Sequence, residues 1–153
     1  MAFRQVDVSS KPVTDRTAIA SGRIKLKRST VALIRAGKVE KGDPLALANL
    51  TGVVAAKQTP AIVALCHQLR LDSVHVEARL LRDGVGVTAR VRAHERTGVE
   101  MEALAAVTVA LLNVWDVVKQ YEKDKAGQYP STRIVDVTVE KKLKQPIGAS
   151  RKA

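Results

Sequence analysis

Cysteine occurs once in the 153-residue chain, as Cys66. A single thiol excludes an intramolecular disulfide and leaves no cysteine cluster for structural zinc, so this reading calls for no metal and fits a reducing compartment. Aromatic side chains are nearly as scarce, being limited to Phe3, Trp115, Tyr121 and Tyr129. Binders of single-stranded nucleic acid stack bases on such rings, and this chain offers few. No charge-free apolar run reaches the roughly 18 residues of a membrane span, and the opening Met-Ala-Phe-Arg-Gln-Val-Asp-Val-Ser-Ser lacks the apolar segment of a signal peptide. The expectation is a soluble, cytoplasmic protein. Acidic residues are outnumbered, with 15 Asp and Glu against 26 Lys and Arg, a formal charge of +11. That excess implies an anionic partner without saying which anion.

Hydrophobic residues make up 46% of the chain, enough for one domain with a core and too short a length for two. Residues 1–17 read as a polar arm that orders against the body or a neighbouring chain, or stays disordered. From Ala18 to Lys27, Ile24 and Leu26 alternate with Arg23, Lys25 and Lys27, the period of a half-exposed strand. Ser29 is positioned to cap a short helix through Arg35, ended by Gly37. Asp43 as N-cap and Pro44 as first helical residue start a second helix towards Lys57. Gly52 inside it costs about 1 kcal/mol against Ala, so the helix breaks there or, the preferred reading in so Ala-rich a segment, something packs very close. After Thr59-Pro60, residues 61–69 read as a short buried element. The runs 73–80 and 85–93 alternate apolar and polar residues around Asp83-Gly84, a hairpin signature. Residues 133–140 form a fourth strand, and a basic tail from Lys141 is expected to fray. The sum is an α+β fold, a four-stranded antiparallel sheet covered by helices, with ferredoxin-like topology as the expectation. Its division is an N-terminal arm over 1–17, one domain over 18–142 and a basic tail over 143–153. No internal repeat or low-complexity segment is present.

The stretch Thr97–Lys119 has the longest helical periodicity and carries Glu100, Glu102, Asp116 and Lys119 on an otherwise apolar element. At 100° per residue, Leu104, Val107, Thr108, Leu111, Val114, Trp115 and Val118 form a core face. Glu102, Ala106, Val109, Asn113, Asp116 and Gln120 form a second face, too apolar in its middle for solvent and expected to meet another subunit. Thr97 and Glu100 fit a capping box. Alternatively the helix begins late, leaves Glu100 in the turn, and turns the amides of Gly98–Glu102 outward as an anion cradle. Glu102 and Asp116 are 14 positions apart, roughly 21 Å along a helix, too far for one small substrate. Asp116 and Lys119 adjoin at i, i+3. An antiparallel second copy of the helix would bring Glu102 of one chain near Asp116 of the other.

Cys66 and His67 adjoin in sequence, but neighbours in an extended segment point apart, so Cys66 reads as a buried, inert thiol. His67 is a candidate acid–base group. Lys41 precedes a helix start, where the dipole disfavours a cation, which makes it a candidate proton carrier.

Leu-Cys-His-Gln-Leu (65–69), Lys-Gly-Asp-Pro-Leu-Ala-Leu-Ala (41–48), Ala-Ala-Lys-Gln-Thr (55–59), Thr-Gly-Val-Glu-Met-Glu-Ala-Leu (97–104), Trp-Asp-Val-Val-Lys (115–119) and the early Val-Asp-Val-Ser (6–9) resemble, in order, motifs of the MoaC family. Those proteins are the cyclic pyranopterin monophosphate synthases of molybdenum cofactor biosynthesis. The resemblance implies a cyclic dihydroguanosine triphosphate as substrate, supplied by an upstream radical enzyme, rearranged to the pyranopterin with loss of pyrophosphate. It implies no bound cofactor, and a hexamer built as a trimer of dimers with sites at the dimer interface. By motif, it assigns Lys41, Asp116 and Lys119 to catalysis, and His67, Glu100 and Glu102 to substrate binding together with Cys66, Gly98 and Met101 from the same motifs. Arg16 and Arg23 are candidates for the triphosphate. Two departures stand out: Gln68 replaces the proline of Leu-Cys-His-Pro-Leu, and the glycine- and lysine-rich C-terminal motif is absent, which leaves Lys141, Lys142 or Lys144 as alternative replacements for its lysine. The rival reading is a basic nucleic-acid-binding domain of the same fold, which requires basic residues and aromatics together on the sheet face. No nucleic acid and no membrane enter the preferred reading.

Overall fold

The computed structural model, which describes residues 1–149, turns the alternation around Ile24 into a first strand longer and earlier than expected, β1 (Thr14–Lys25). Residues 14–17, assigned to the arm by their polarity, pair with the end of β3 (Gly84–Glu95), from Thr14 opposite Glu95 to Thr17 opposite Arg92. Then follow α1 (Arg28–Arg35), α2 (Pro44–Lys57), the single turn α3 (Thr59–Ile62), β2 (Ser73–Leu81), β3, α4 (Glu100–Glu122) and β4 (Arg133–Gln145). The sheet order is β2-β3-β1-β4, every neighbouring pair antiparallel. Two interlocked β-α-β units, each with another strand between its own two, give that order, and it is the ferredoxin-like arrangement expected.

Several local signals act as expected. Asp43 Oδ1 accepts from the amides of Leu45 (2.8 Å) and Ala46 (3.3 Å) as N-cap of α2. Gly52 stays inside the helix because a Cβ there would lie 2.8 Å from Val76 Cγ1 and 3.1 Å from the Ala106 carbonyl. Ala and Gly let α2 approach both the sheet and α4.

Others are corrected. Ser29 lies within α1, whose N-cap is Lys27 with no side-chain cap. Residues 61–69 are not a buried element: the helix stops at Ile62, and an irregular segment with exposed Leu65 follows. The strand β4 does not stop at Glu140; Lys141 to Gln145 pair with Ile19 back to Asp15. The free edge of β1 supplies unpaired backbone groups that a polar tail can satisfy as well as an apolar one. Residues 150–153 of the expected tail lie outside the described residues.

Along α4 the core face is rotated by roughly 70° from the expected one. Ala103, Ala106, Val107, Ala110, Leu111, Val114, Val117 and Val118 are buried, while Thr108 is exposed. Ala106 is covered by α2 of the same chain rather than by another subunit. The outward stripe is Met101, Thr108 and Leu112, flanked by half-buried Leu104 and Trp115. By length and apolarity α4 would pass for a membrane span, yet here it is the core helix. Its last residue, Glu122, is fully buried and accepts hydrogen bonds from the Thr30 and Thr132 hydroxyls and the Lys27 amide, tying α4 to α1 and to the approach to β4.

Candidate active site

One reversal of the chain builds the first cluster of predicted site residues. β3 ends at Glu95, residues 96–99 reverse direction, and α4 begins at Glu100 with Val99 as N-cap. No side chain caps the helix, so the Thr97–Glu100 capping box does not form. Glu100 and Glu102 occupy the first turn, where the helix dipole favours negative charge. Glu102 is 3% exposed. Burial pushes its carboxyl above the ordinary range, and the charge of Glu100 adds to the push while its own backbone amide opposes it. Burial also works to raise Glu100. A 2.6 Å ion pair with Lys142, a hydrogen bond to its own amide and the charge of Arg16 outweigh burial and hold Glu100 below that range. These two amides therefore serve their own carboxylates, which weakens the expected backbone anion cradle. Gly98 has a different role: a Cβ there would fall 2.0 Å from Glu100 Oε2.

The irregular segment after α3 brings Cys66 and His67 to the same place. Together with Gly98, Glu100, Met101 and Glu102 they line a cavity of about 370 Å³. Cys66, expected to be buried, is half-buried, and burial, with the nearby Glu102 charge, pushes its thiol up. His67 Nε2 lies 2.6 Å from the Val6 carbonyl.

A second cluster of predicted site residues lies at the other end of α4. Asp116 accepts from Lys119 Nζ at 2.7 Å through Oδ1 and from Lys41 Nζ at 3.2 Å through Oδ2; Lys41 also donates to the Asp116 carbonyl at 3.1 Å. Hydrogen bonds from Lys119 and Lys41 hold Asp116 below the usual carboxylate range, and the bond to Asp116 raises Lys119. The loop carrying Lys41 is held against α4 by Tyr121 Oη, which accepts from the Glu40 amide at 3.0 Å, and by Gln120 Nε2, which donates to Glu40 Oε2 at 3.0 Å. All three charged groups are more than 40% exposed, so this cluster is open on the outer side of the chain.

Arg16 lines a recess of about 430 Å³ with Lys11, Arg96, Lys142 and Lys144. Its Nε is buried and, among the described residues, without a hydrogen-bond partner. Glu100 borders both this recess and the carboxylate cavity. Arg23 does not join it. Seven positions along β1, roughly 23 Å at strand rise, it pairs with Asp136 at 2.8 Å and lines a different pocket with Glu77 and Arg79 on the sheet. Sequence reasoning missed Arg4, Lys11 and Arg96, the first two because a polar arm shows no periodicity. Arg96 directly precedes Thr97-Gly98, and that adjacency was a usable signal.

Carboxyl groups of separated proton affinity beside a cationic recess suit proton transfer on an anionic small molecule. The nucleic-acid reading is not favoured, because Arg23, Arg79 and Arg92 are already paired with Asp136, Glu77 and Asp15 and no Phe, Tyr or Trp lies in β1 to β4. Fold and site thus define a ferredoxin-like α+β enzyme rather than a nucleic-acid-binding domain. The chain belongs to the MoaC family, whose profile matches residues 5–144. A relative from Pyrococcus abyssi, a probable cyclic pyranopterin monophosphate synthase, is 50% identical over 141 residues, 92% of this chain and 89% of the relative. Proteins of the same description from Aeropyrum pernix (51% over 139 residues, 91% and 95%) and Sulfolobus acidocaldarius (48% over 139 residues, 91% and 97%) are similar to it as well.

Proposed function

We propose that the chain is a cyclic pyranopterin monophosphate synthase of molybdenum cofactor biosynthesis, a lyase that converts a cyclic dihydroguanosine triphosphate into cyclic pyranopterin monophosphate and pyrophosphate. The observation that carries this reading is the cavity at the start of α4 that brings Glu100 and the buried Glu102 together with Cys66 and His67, in a chain of this family. A guanine-derived ring presents an exocyclic amine and ring N–H groups that suit carboxylate acceptors such as Glu100 and Glu102. His67 completes that wall, with Cys66, Gly98 and Met101 around it. Arg16, Lys142 and their neighbours offset the triphosphate charge, and the ion pair of Lys142 with Glu100 supports it as the replacement for the absent C-terminal motif's lysine. Arg23 would serve the same substrate only from another chain.

Ring opening, ring rebuilding and phosphate closure each move protons. Closure forms a bond from a sugar oxygen to the α-phosphorus, breaks the α–β anhydride and releases pyrophosphate; the hydroxyl proton goes to a base. Lys41, Asp116 and Lys119 form a hydrogen-bonded relay suited to that traffic. Because the carboxylate pair and the relay are separated by roughly 21 Å of helix, each complete site draws on two chains, and the Met101–Leu112 stripe between them fits the dimer seam. The assembly is a hexamer, a trimer of dimers with sites at that interface, and it works in the cytoplasm on substrate made by a radical enzyme.

The test is incubation with cyclic dihydroguanosine triphosphate, monitoring pyrophosphate and a pterin phosphate. Product formation is expected, and Lys41→Ala or Asp116→Ala is expected to abolish it with the oligomer intact. No product from the unsubstituted protein overturns the reading.

A further inference from the structure

The Val-Asp-Val-Ser segment near the N-terminus has no role in the chemistry above, yet it lies on the carboxylate cavity. Arg4, Val6, Val8 and Lys11 line that cavity together with Glu100 and Glu102. The segment is shaped locally. Asp7 Oδ1 accepts from the Ser9 amide at 2.8 Å and the Lys11 amide donates to the Val8 carbonyl at 3.0 Å, which folds residues 7–11 into a turn. It is fastened at both ends. Gln5 Nε2 donates to the Cys66 carbonyl at 2.8 Å, and Arg96 Nε donates to the Lys11 carbonyl at 3.1 Å. Between these ties, the Val6 carbonyl meets His67 Nε2 at 2.6 Å. A carbonyl oxygen only accepts, so Nε2 must carry the hydrogen, and in the neutral ring Nδ1 is left as the free acceptor. Apart from half-buried Val8, residues 1–13 are exposed, so little apolar burial holds the segment down and its opening is cheap compared with unfolding of the sheet.

We propose that residues 4–11 are a hinged wall of the substrate cavity and that the Val6 carbonyl is the positioning group for His67. Closed, the wall holds the imidazole with hydrogen on Nε2 and adds Arg4 and Lys11 to the cationic lining. Opened, it gives the substrate a way in. The role of the cavity rests on the proposed synthase function; the tautomer does not.

The experiment compares the full chain with a variant lacking residues 2–8 and with Gln5→Ala, which keeps the chain at full length but loses the tie to Cys66. The His67 ring is observed by two-bond ¹H–¹⁵N correlation, and turnover of cyclic dihydroguanosine triphosphate is followed in parallel. In the full chain His67 is expected as the Nε2–H form. Removal of residues 2–8 is expected to mix the tautomers and raise KM by about ten-fold or more with a smaller change in kcat, and Gln5→Ala is expected to fall between. A full-chain His67 with hydrogen on Nδ1, or variants that leave both tautomer and KM unchanged, would overturn the proposal. If the truncated chain does not fold, Gln5→Ala decides by the same two readouts. A full chain that shows the Nε2–H form but no turnover refutes the function while supporting the positioning role.

Discussion

Glu100 and Glu102 sit two residues apart and are driven in opposite directions, one by Lys142 and the other by burial. Their consequences for stability have opposite signs. Glu100, lowered from its ordinary value of 4.5, contributes stability that is present above that value and lost as pH falls through the lowered one. Glu102, raised from 4.5, binds its proton more tightly folded than unfolded, so stability declines as pH rises through the raised value. Glu102→Gln should therefore raise the thermal midpoint at neutral pH and flatten its decline above pH 4.5, while cutting turnover by about 10²-fold; calorimetry across pH, with a pyrophosphate assay, checks both. A midpoint that falls at neutral pH would contradict the burial argument. Gly98 acts through its neighbour. Because an added Cβ would stand 2.0 Å from Glu100 Oε2, Gly98→Ala should push that carboxylate off Lys142 and lower kcat/KM by roughly 10–100-fold. Its melting temperature should stay near the parent's, since the far end of a flexible side chain gives way rather than backbone.

The elements that place these residues owe their spacing to small side chains. Where α2 crosses α4, Gly52 meets the Ala106 carbonyl and Val76 at distances that leave no room for a larger residue. Ala48, Ala55 and Ala56 continue that close surface along α2. Gly52→Val should destabilise the fold by about 1–3 kcal/mol through overpacking, measurable as a lowered thermal midpoint. An unchanged or raised midpoint would show that α2 can shift without cost. The α1–α2 loop depends on the end of α4, where Tyr121 and Gln120 hold Glu40 and thereby set Lys41 beside Asp116.

For the whole molecule, the sheet and α2 leave one apolar strip of α4 without cover, with Leu112 56% and Met101 41% exposed. The strip lies between the Glu100–Glu102 pair and the Lys41–Asp116–Lys119 cluster. A second copy related by a two-fold axis near its middle would bury it and bring each carboxylate pair to the other chain's relay. In the proposed assembly, Leu112→Asp is expected to separate the subunits, seen by multi-angle light scattering, and to remove activity with it, because each proposed site draws on two chains. An intact oligomer in that variant would place the seam elsewhere.

Much of this was legible in the residues. Periods of two and 3.6 marked the strands and α4, Asp43-Pro44 marked the start of α2, and the clustering of Glu100, Glu102, Asp116 and Lys119 on one helix pointed to the candidate site. These signals are local: they depend on backbone geometry and on side chains a few positions away. What the sequence left undecided were choices between distant partners. The Lys141–Gln145 extension formed because β1 had a free edge. The core face of α4 turned because α2 covered Ala106. Glu122 was buried because Thr30 and Thr132 supplied donors for its carboxylate. Glu100 and Glu102 gained different proton affinities because Lys142 reached only the first while the core closed over the second. Each of these depends on groups far apart in the chain, and only tertiary packing brings such groups close enough for their contacts to decide the outcome.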